Sequence, residues 1–211
     1  MNIAIIGSGN VGGSLAEKWA AKGHKIIFGV RDEKHFKGKE LVGHPNISFT
    51  DMPTAVASAE VVVLATPAPA AIEVAKSLGD TTDKIIIDTT NIVMGKGPEG
   101  FTNSSDAVLA NTQSWELVKC FNTTGYNNIR DTYYGDTPID TFMCGDSKRA
   151  KKMTRELALE AGFAECYDVG GNDKFTLMEQ FAWFWINLAM FQGQGREVAF
   201  KLLKRQVSSM P

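Results

Sequence analysis

The stretch that decides the fold is Ile3-Ala4-Ile5-Ile6-Gly7-Ser8-Gly9-Asn10-Val11-Gly12. Four apolar residues ending at a glycine predict a short buried strand over residues 2–6. From Asn10 to about Lys22 the apolar residues Val11, Leu15 and Trp19 fall on one face of a predicted helix, with Gly23 as its stop. Between strand and helix the glycines have the spacing G-x-G-x-x-G. In that context Gly7 permits a tight turn, Gly9 leaves the backbone open to a pyrophosphate, and Gly12 lets helix and strand pack closely. Ser8, Asn10 and Val11 complete the turn, and the first N–H groups of the helix point at the same place. The expected ligand is a dinucleotide.

Outward from this unit, runs rich in Val and Ile recur at residues 25–28, 47–49, 61–64, 84–87 and 117–120, alternating with helical patterns. They predict an α/β fold: a Rossmann-type, doubly wound, mainly parallel sheet covered on both faces. A second helix is expected from Pro67 through Ala71, Ile72, Ala75 and Leu78 to a stop at Gly79. After about Thr132 the pattern changes to a strand at 139–143, a helix capped by Ser147 and ended by Gly162, and a weaker strand at 164–168. A long helical pattern follows over 175–203, broken near Gly193-Gln194-Gly195. The expected organisation is a dinucleotide-binding domain over residues 1–135 and a small C-terminal α/β extension over 136–211 that ends in the long helix.

Composition limits the partners. Over 211 residues, 44% hydrophobic and 22% charged, there is enough apolar material for a full core. The 22 basic and 24 acidic residues nearly cancel, which argues against nucleic acid and anionic membranes. The longest apolar run, 181–191, is interrupted by Asn187 and has about half of the ~20 residues needed to span a bilayer. Met1 and Asn2 lead straight into the first strand without a leader pattern, so a cytosolic location is expected. Cys120, Cys144 and Cys166 are odd in number and far apart, which predicts reduced core thiols and neither a disulfide framework nor a zinc site. The aromatic C-terminal helix offers more apolar surface than a small extension covers, which allows a homodimer.

Cofactor choice is read after the second strand, at Gly29-Val30-Arg31-Asp32. Gly29 leaves space, and Arg31 suits a charge-assisted pair with a 2′-phosphate, which favours NADP(H). Asp32 offers the alternative of a ribose contact and NAD use, with Arg31 then a solvated loop charge. Further strands run into Ala65-Thr66-Pro67, Asp88-Thr89-Thr90-Asn91 and Phe121-Asn122-Thr123-Thr124-Gly125, all at the sheet edge where such folds hold ligands. Turn and cap chemistry explains these residues equally well. No histidine, lysine–aspartate pair or metal cluster is expected beside these ends. His24, His35 and His44 have no partner at ligand spacing, and Phe175, Phe181, Trp183, Phe184 and Trp185 are expected to fill a helix interface.

With these motifs placed, the chain resembles the NADP oxidoreductases typified by the coenzyme F420-dependent NADP reductases. It also resembles the cytosolic reductase domain of the six-transmembrane epithelial antigen of prostate metalloreductases. The resemblance spans nearly the whole chain through Ile6-Gly7-Ser8-Gly9-Asn10-Val11-Gly12, Arg31, Lys119-Cys120-Phe121-Asn122-Thr123 and Met143-Cys144-Gly145-Asp146. It implies that Gly9, Asn10 and Val11 contact the pyrophosphate and Arg31 the 2′-phosphate, while Thr66, Pro67, Asn91 and Asn122 border the nicotinamide. It further implies direct hydride transfer to a stacked flavin or deazaflavin, a small-molecule second substrate. The competing readings are a non-catalytic NADP(H) sensor or interaction module and a small hydroxy-acid or imine reductase; the latter commonly needs a larger helical second domain than the residues after Gly135 supply.

Overall fold

A computed structural model of the protein describes residues 1–205. The first motif folds as read, with β1 (Asn2–Ile6) running through the glycine turn into α1 (Asn10–Ala21) and back through β2 (Lys25–Val30). β3 (Ile47–Asp51), α2 (Met52–Ala57), β4 (Val61–Leu64), α3 (Ala71–Lys76), β5 (Ile85–Asp88), α4 (Ser104–Leu109) and β6 (Leu117–Cys120) follow. Then come α5 (Tyr126–Arg130), a small hairpin of β7 (Tyr133–Tyr134) and β8 (Thr137–Pro138), β9 (Thr141–Cys144), α6 (Lys148–Glu160), β10 (Cys166–Asp168) and α7 (Phe175–Ile186).

The main sheet has the order β10-β9-β6-β5-β4-β1-β2-β3. β1 to β6 are all parallel, β9 is antiparallel to β6, and β10 is parallel to β9. The strand order reverses between β1 and β4, which opens a crevice outside their carboxyl ends. Alternation along β1 divides the core. Ile3 and Ile5 pack with Leu15 and Trp19 of α1, and Ala4 and Ile6 pack on the other face with Ala55, Val56, Val74 and Leu78. Trp19 joins the two parts of the chain: its ring meets Phe121 edge-on at 5.7 Å and its indole N–H donates to the Leu157 carbonyl at 2.9 Å.

Several expectations change. The helix read from Pro67 starts as a 3-10 turn at Ala68–Ala70, because Pro67 and Pro69 lack N–H donors, and only then becomes α3. The short helices α2, α4 and α5 went unread, having five or six residues, too few to display a 3.6 period. The helix read to residue 203 ends earlier. α7 finishes in a π-helical turn at Asn187–Phe191, and residues 192–205 carry no helix. There Gly193 and Gly195 adopt positive φ, and the chain finds partners outside the helical ladder. The Val198 carbonyl accepts from Trp185 and Asn128, Phe200 stacks on Phe181 at 4.6 Å, and the Leu202 N–H donates to Asp140. The rest of the expected extension, 206–211, lies outside the described residues. Trp185 and Phe175 are buried as expected, but Trp183 and Phe184 are 39% and 53% exposed, because α7 packs by one face only.

The three cysteines are buried free thiols, and burial pushes the Cys144 thiol up to about 12. Among the described residues no helix is long and apolar enough to cross a membrane.

Candidate functional site

At the end of β1 the chain turns through Gly7, whose φ of +105° is poorly accessible to other residues. A Cβ there would stand 2.5 Å from the Ala65 carbonyl oxygen, and one on Gly12 would stand 1.9 Å from the Gly7 oxygen, so both positions serve close packing. Gly9 differs. Its backbone is ordinary, at φ −77° and ψ −158°, and a Cβ would meet nothing within 4 Å. Gly9 caps α1 without a side-chain partner, and its carbonyl accepts the first helical bond from Gly13 at 2.7 Å. The N–H groups of Asn10 and Val11 therefore precede the helical ladder and are free for an anion.

The turn opens on a cleft of about 750 Å³, lined by Gly7 to Val11, Gly29 to Asp32, His35, Phe36, Lys37, Thr66, Pro67, Ala70 and Val74, among others. That volume suits a cofactor. Sequence reasoning placed Gly7, Ser8, Gly9, Asn10, Val11, Arg31, Thr66 and Pro67 in one site, and the fold brings all eight together. Gly12 lies beneath them as a packing residue.

At the β2 end, Arg31 is three-quarters exposed and its Nη1 stands 3.6 Å from Glu73 Oε1. Asp32 closes its own turn instead. Its carboxylate accepts from the N–H groups of Lys34 at 2.8 Å and His35 at 3.3 Å and faces the His35 ring at 3.2 Å. These contacts, the Lys34 N–H foremost, hold it below the usual carboxylate range. His35, expected to have no role, and Lys37, which went unread, share the cleft wall with Arg31; the signal was the density of cations in Arg31-Asp32-Glu33-Lys34-His35-Phe36-Lys37-Gly38-Lys39. Gly29 also has a packing reason, since a Cβ there would press within 2.4 Å of Ile6 Cδ1.

Asn91 and Asn122 are not part of this lining. They bind each other: Asn91 Nδ2 donates to the Asn122 carbonyl at 2.8 Å, and Asn122 Nδ2 donates to Asn91 Oδ1 at 2.9 Å and to the Met178 carbonyl of α7 at 3.2 Å. Asn122 follows Phe121, a buried residue at φ +59°, a strained conformation held by packing against Trp19 and Phe163.

Behind these amides stands a lysine–aspartate pair that sequence reading did not expect. Asp88 and Lys119 are cross-strand neighbours on β5 and β6. The Lys119 ammonium, fully buried, lies 2.8 Å from Asp88 and 2.9 Å from Glu179 of α7 and also donates to Ser104 and Ser105. Glu179 further accepts from the backbone N–H groups of Ile92 and Ser104, both at 2.9 Å. Burial pushes the Asp88 carboxyl upward, but the Lys119 charge and the surrounding hydroxyls outweigh it and hold Asp88 below its ordinary value. Burial likewise opposes the Lys119 charge, and the two carboxylates overcome it and raise the lysine. The pair is sealed from the cleft, and it fastens α7 over the ends of β5 and β6.

Comparison with known proteins agrees with this geometry. Residues 2–92 match the family described as NADP oxidoreductase coenzyme F420-dependent. The chain is similar to the F420-dependent NADP reductase of Methanothermobacter thermautotrophicus, at 29% identity over 209 residues and 89% of each chain. Its fold matches a crystal structure assigned as an F420-dependent NADP-reductase from Arthrobacter sp. FB24, with a TM-score of 0.84 and 25% identity over 97% of this chain and 100% of that one. The reductive aminase of Aspergillus terreus, solved with NADPH and ethyl levulinate, shares the fold at a TM-score of 0.66 and 15% identity, covering 91% of this chain and 62% of that one.

Proposed function

We propose that this chain, whose residues 2–92 match the family described as NADP oxidoreductase coenzyme F420-dependent, transfers hydride between NADP(H) and a flavin, a deazaflavin or a similar planar acceptor. The observation that carries this reading is the polarity of the cleft. All of its ionisable lining residues, Arg31, Asp32, His35 and Lys37, follow β2, and the end formed by Thr66 and Pro67 has none. A dinucleotide fits that polarity in one direction: 2′-phosphate at Arg31, pyrophosphate on the N–H groups of Asn10 and Val11 beside Gly9, nicotinamide toward Thr66 and Pro67.

NADP(H) supplies the redox chemistry when bound. The protein's own part is to bind the phosphates, to hold the ring end against a small-residue wall, and to exclude water. With no ionisable side chain in the lining at that end, the arrangement suits a transfer that depends on proximity and alignment. Residues 1–135 hold the dinucleotide in this reading, and the segment from 136 onward packs through α7 behind the Asn91–Asn122 pair, outside the lining of the cleft. The exposed apolar side chains of Trp183, Phe184, Met190 and Phe191 form the face that a second copy would cover in a homodimer.

The test is NADPH carrying deuterium stereospecifically at the transferred position, incubated with flavins and deazaflavins in turn. Transfer of label to an acceptor, or a slowed reduction, supports the reading. If NADPH binds and no acceptor ever consumes it, the chain is an NADP(H) sensor instead.

A further inference from the structure

Arg31 and Glu73 stand on opposite lips of the cleft. Arg31 follows β2, while Glu73 lies on α3 between Ala70 and Val74, both of which line the cavity. The ion pair of 3.6 Å between them crosses the mouth of the cleft at the end where the other cations, His35 and Lys37, also gather. Both side chains are more than 70% exposed, so the pair adds little to folding. Its consequence falls on whatever anion approaches Arg31.

We propose that Glu73 competes with the 2′-phosphate for Arg31 and so sets how strongly the chain prefers NADP(H) over NAD(H). The inference rests on the reading of the cleft given above. A guanidinium has five donors in a rigid fork, and a phosphate monoester carries more charge than a carboxylate, so the phosphate displaces Glu73 or shares Arg31 with it. Either arrangement sets two anions against one cation. A dinucleotide without the 2′-phosphate leaves the pair intact and pays nothing. Glu73 is then a specificity-determining residue that moderates NADP(H) affinity alone.

The experiment is calorimetric titration of NADP+ and NAD+ into wild type, Glu73→Gln, Arg31→Ala and the double variant, with thermal melts to confirm folding. Glu73→Gln should tighten NADP+ binding about two- to fivefold at low salt and leave NAD+ unchanged. The gain should vanish in the Arg31→Ala background. Unchanged or weaker NADP+ binding, or an equal gain for NAD+, overturns the proposal. So does a gain that persists without Arg31, because Glu73 would then repel the phosphate directly. If wild type binds neither dinucleotide, the reading of the cleft fails and takes this inference with it, a result distinct from wild-type binding that Glu73→Gln does not change.

Discussion

The carboxylate of Glu179 on α7 lies 2.9 Å from the ammonium of Lys119, at the centre of the sheet. With Asp88 2.8 Å from the same ammonium, the C-terminal helix is tied to the strand ends by charges that are almost wholly buried. Replacing the lysine leaves two buried carboxylates without their cation. Lys119→Met should cost about 3–5 kcal/mol and lower the melting temperature by roughly 6–20 °C. A drop of less than a degree or two in a calorimetric scan would show that the carboxylates find other partners.

The same triad has a pH signature. Asp88 is held below its ordinary 3.8, so its contribution is present above that value and is lost as pH falls through the lowered one. Lys119 is held above its ordinary 10.5, so its contribution is present below that value and is lost as pH rises through the raised one. In Lys119→Met the two carboxylates, buried and without their cation, are driven toward the neutral form, so the stability difference from wild type should be largest at alkaline pH below the lysine's own titration and should shrink as pH falls and the carboxylates protonate. Denaturant titrations from about pH 4 to 9 check it, and a difference that does not shrink toward acid would assign the effect to other groups.

Arg31→Ala should weaken NADP+ by about tenfold or more, the worth of a charge-assisted hydrogen bond, and leave NAD+ nearly unaffected. Binding titrations with both cofactors decide the matter. Equal losses would remove Arg31 from the phosphate and return attention to Asp32, despite its commitment to its own turn.

The two leading glycines should separate in their effects. Gly9→Val puts a branched side chain into open cleft from an ordinary backbone, so the fold should keep its melting temperature while dinucleotide binding is lost. Gly7→Ala meets both a positive φ and the Ala65 carbonyl, and should destabilise the protein by about 1–3 kcal/mol. Wild-type affinity in Gly9→Val would mean that the ligand passes elsewhere.

At the other end, Pro67→Trp should block acceptor reduction and spare binding at the Arg31 end, because Pro67 lines the cleft and Arg31 lies on a different strand end. Steady-state reduction of the acceptor alongside NADP+ titration reads both. Undiminished turnover would move the reacting end away from Pro67. Asn122 does not suit such a test, since at 4% exposure a tryptophan there would disrupt the core.

The sequence by itself determined the β1-turn-α1 unit, because the demands that Gly7, Gly9 and Gly12 answer act largely within a few residues. It also determined the strands β1 to β6 to within a residue or two, because short apolar runs stand out from their flanks, most clearly in β4 and β5, where Val and Ile are buried on both faces. Only the tertiary structure decided that β9 runs antiparallel to β6, that α7 stops at a π-helical turn, and where the polar side chains find partners. Asp88 meets Lys119 through strand register, Glu179 joins them through the docking of α7, Asn91 and Asn122 satisfy each other, and Glu73 faces Arg31 across the cleft. Each pairing joins residues at least 31 positions apart, on different elements, and a local pattern carries no trace of a contact that exists only once strand order and helix docking have brought both partners to the same place.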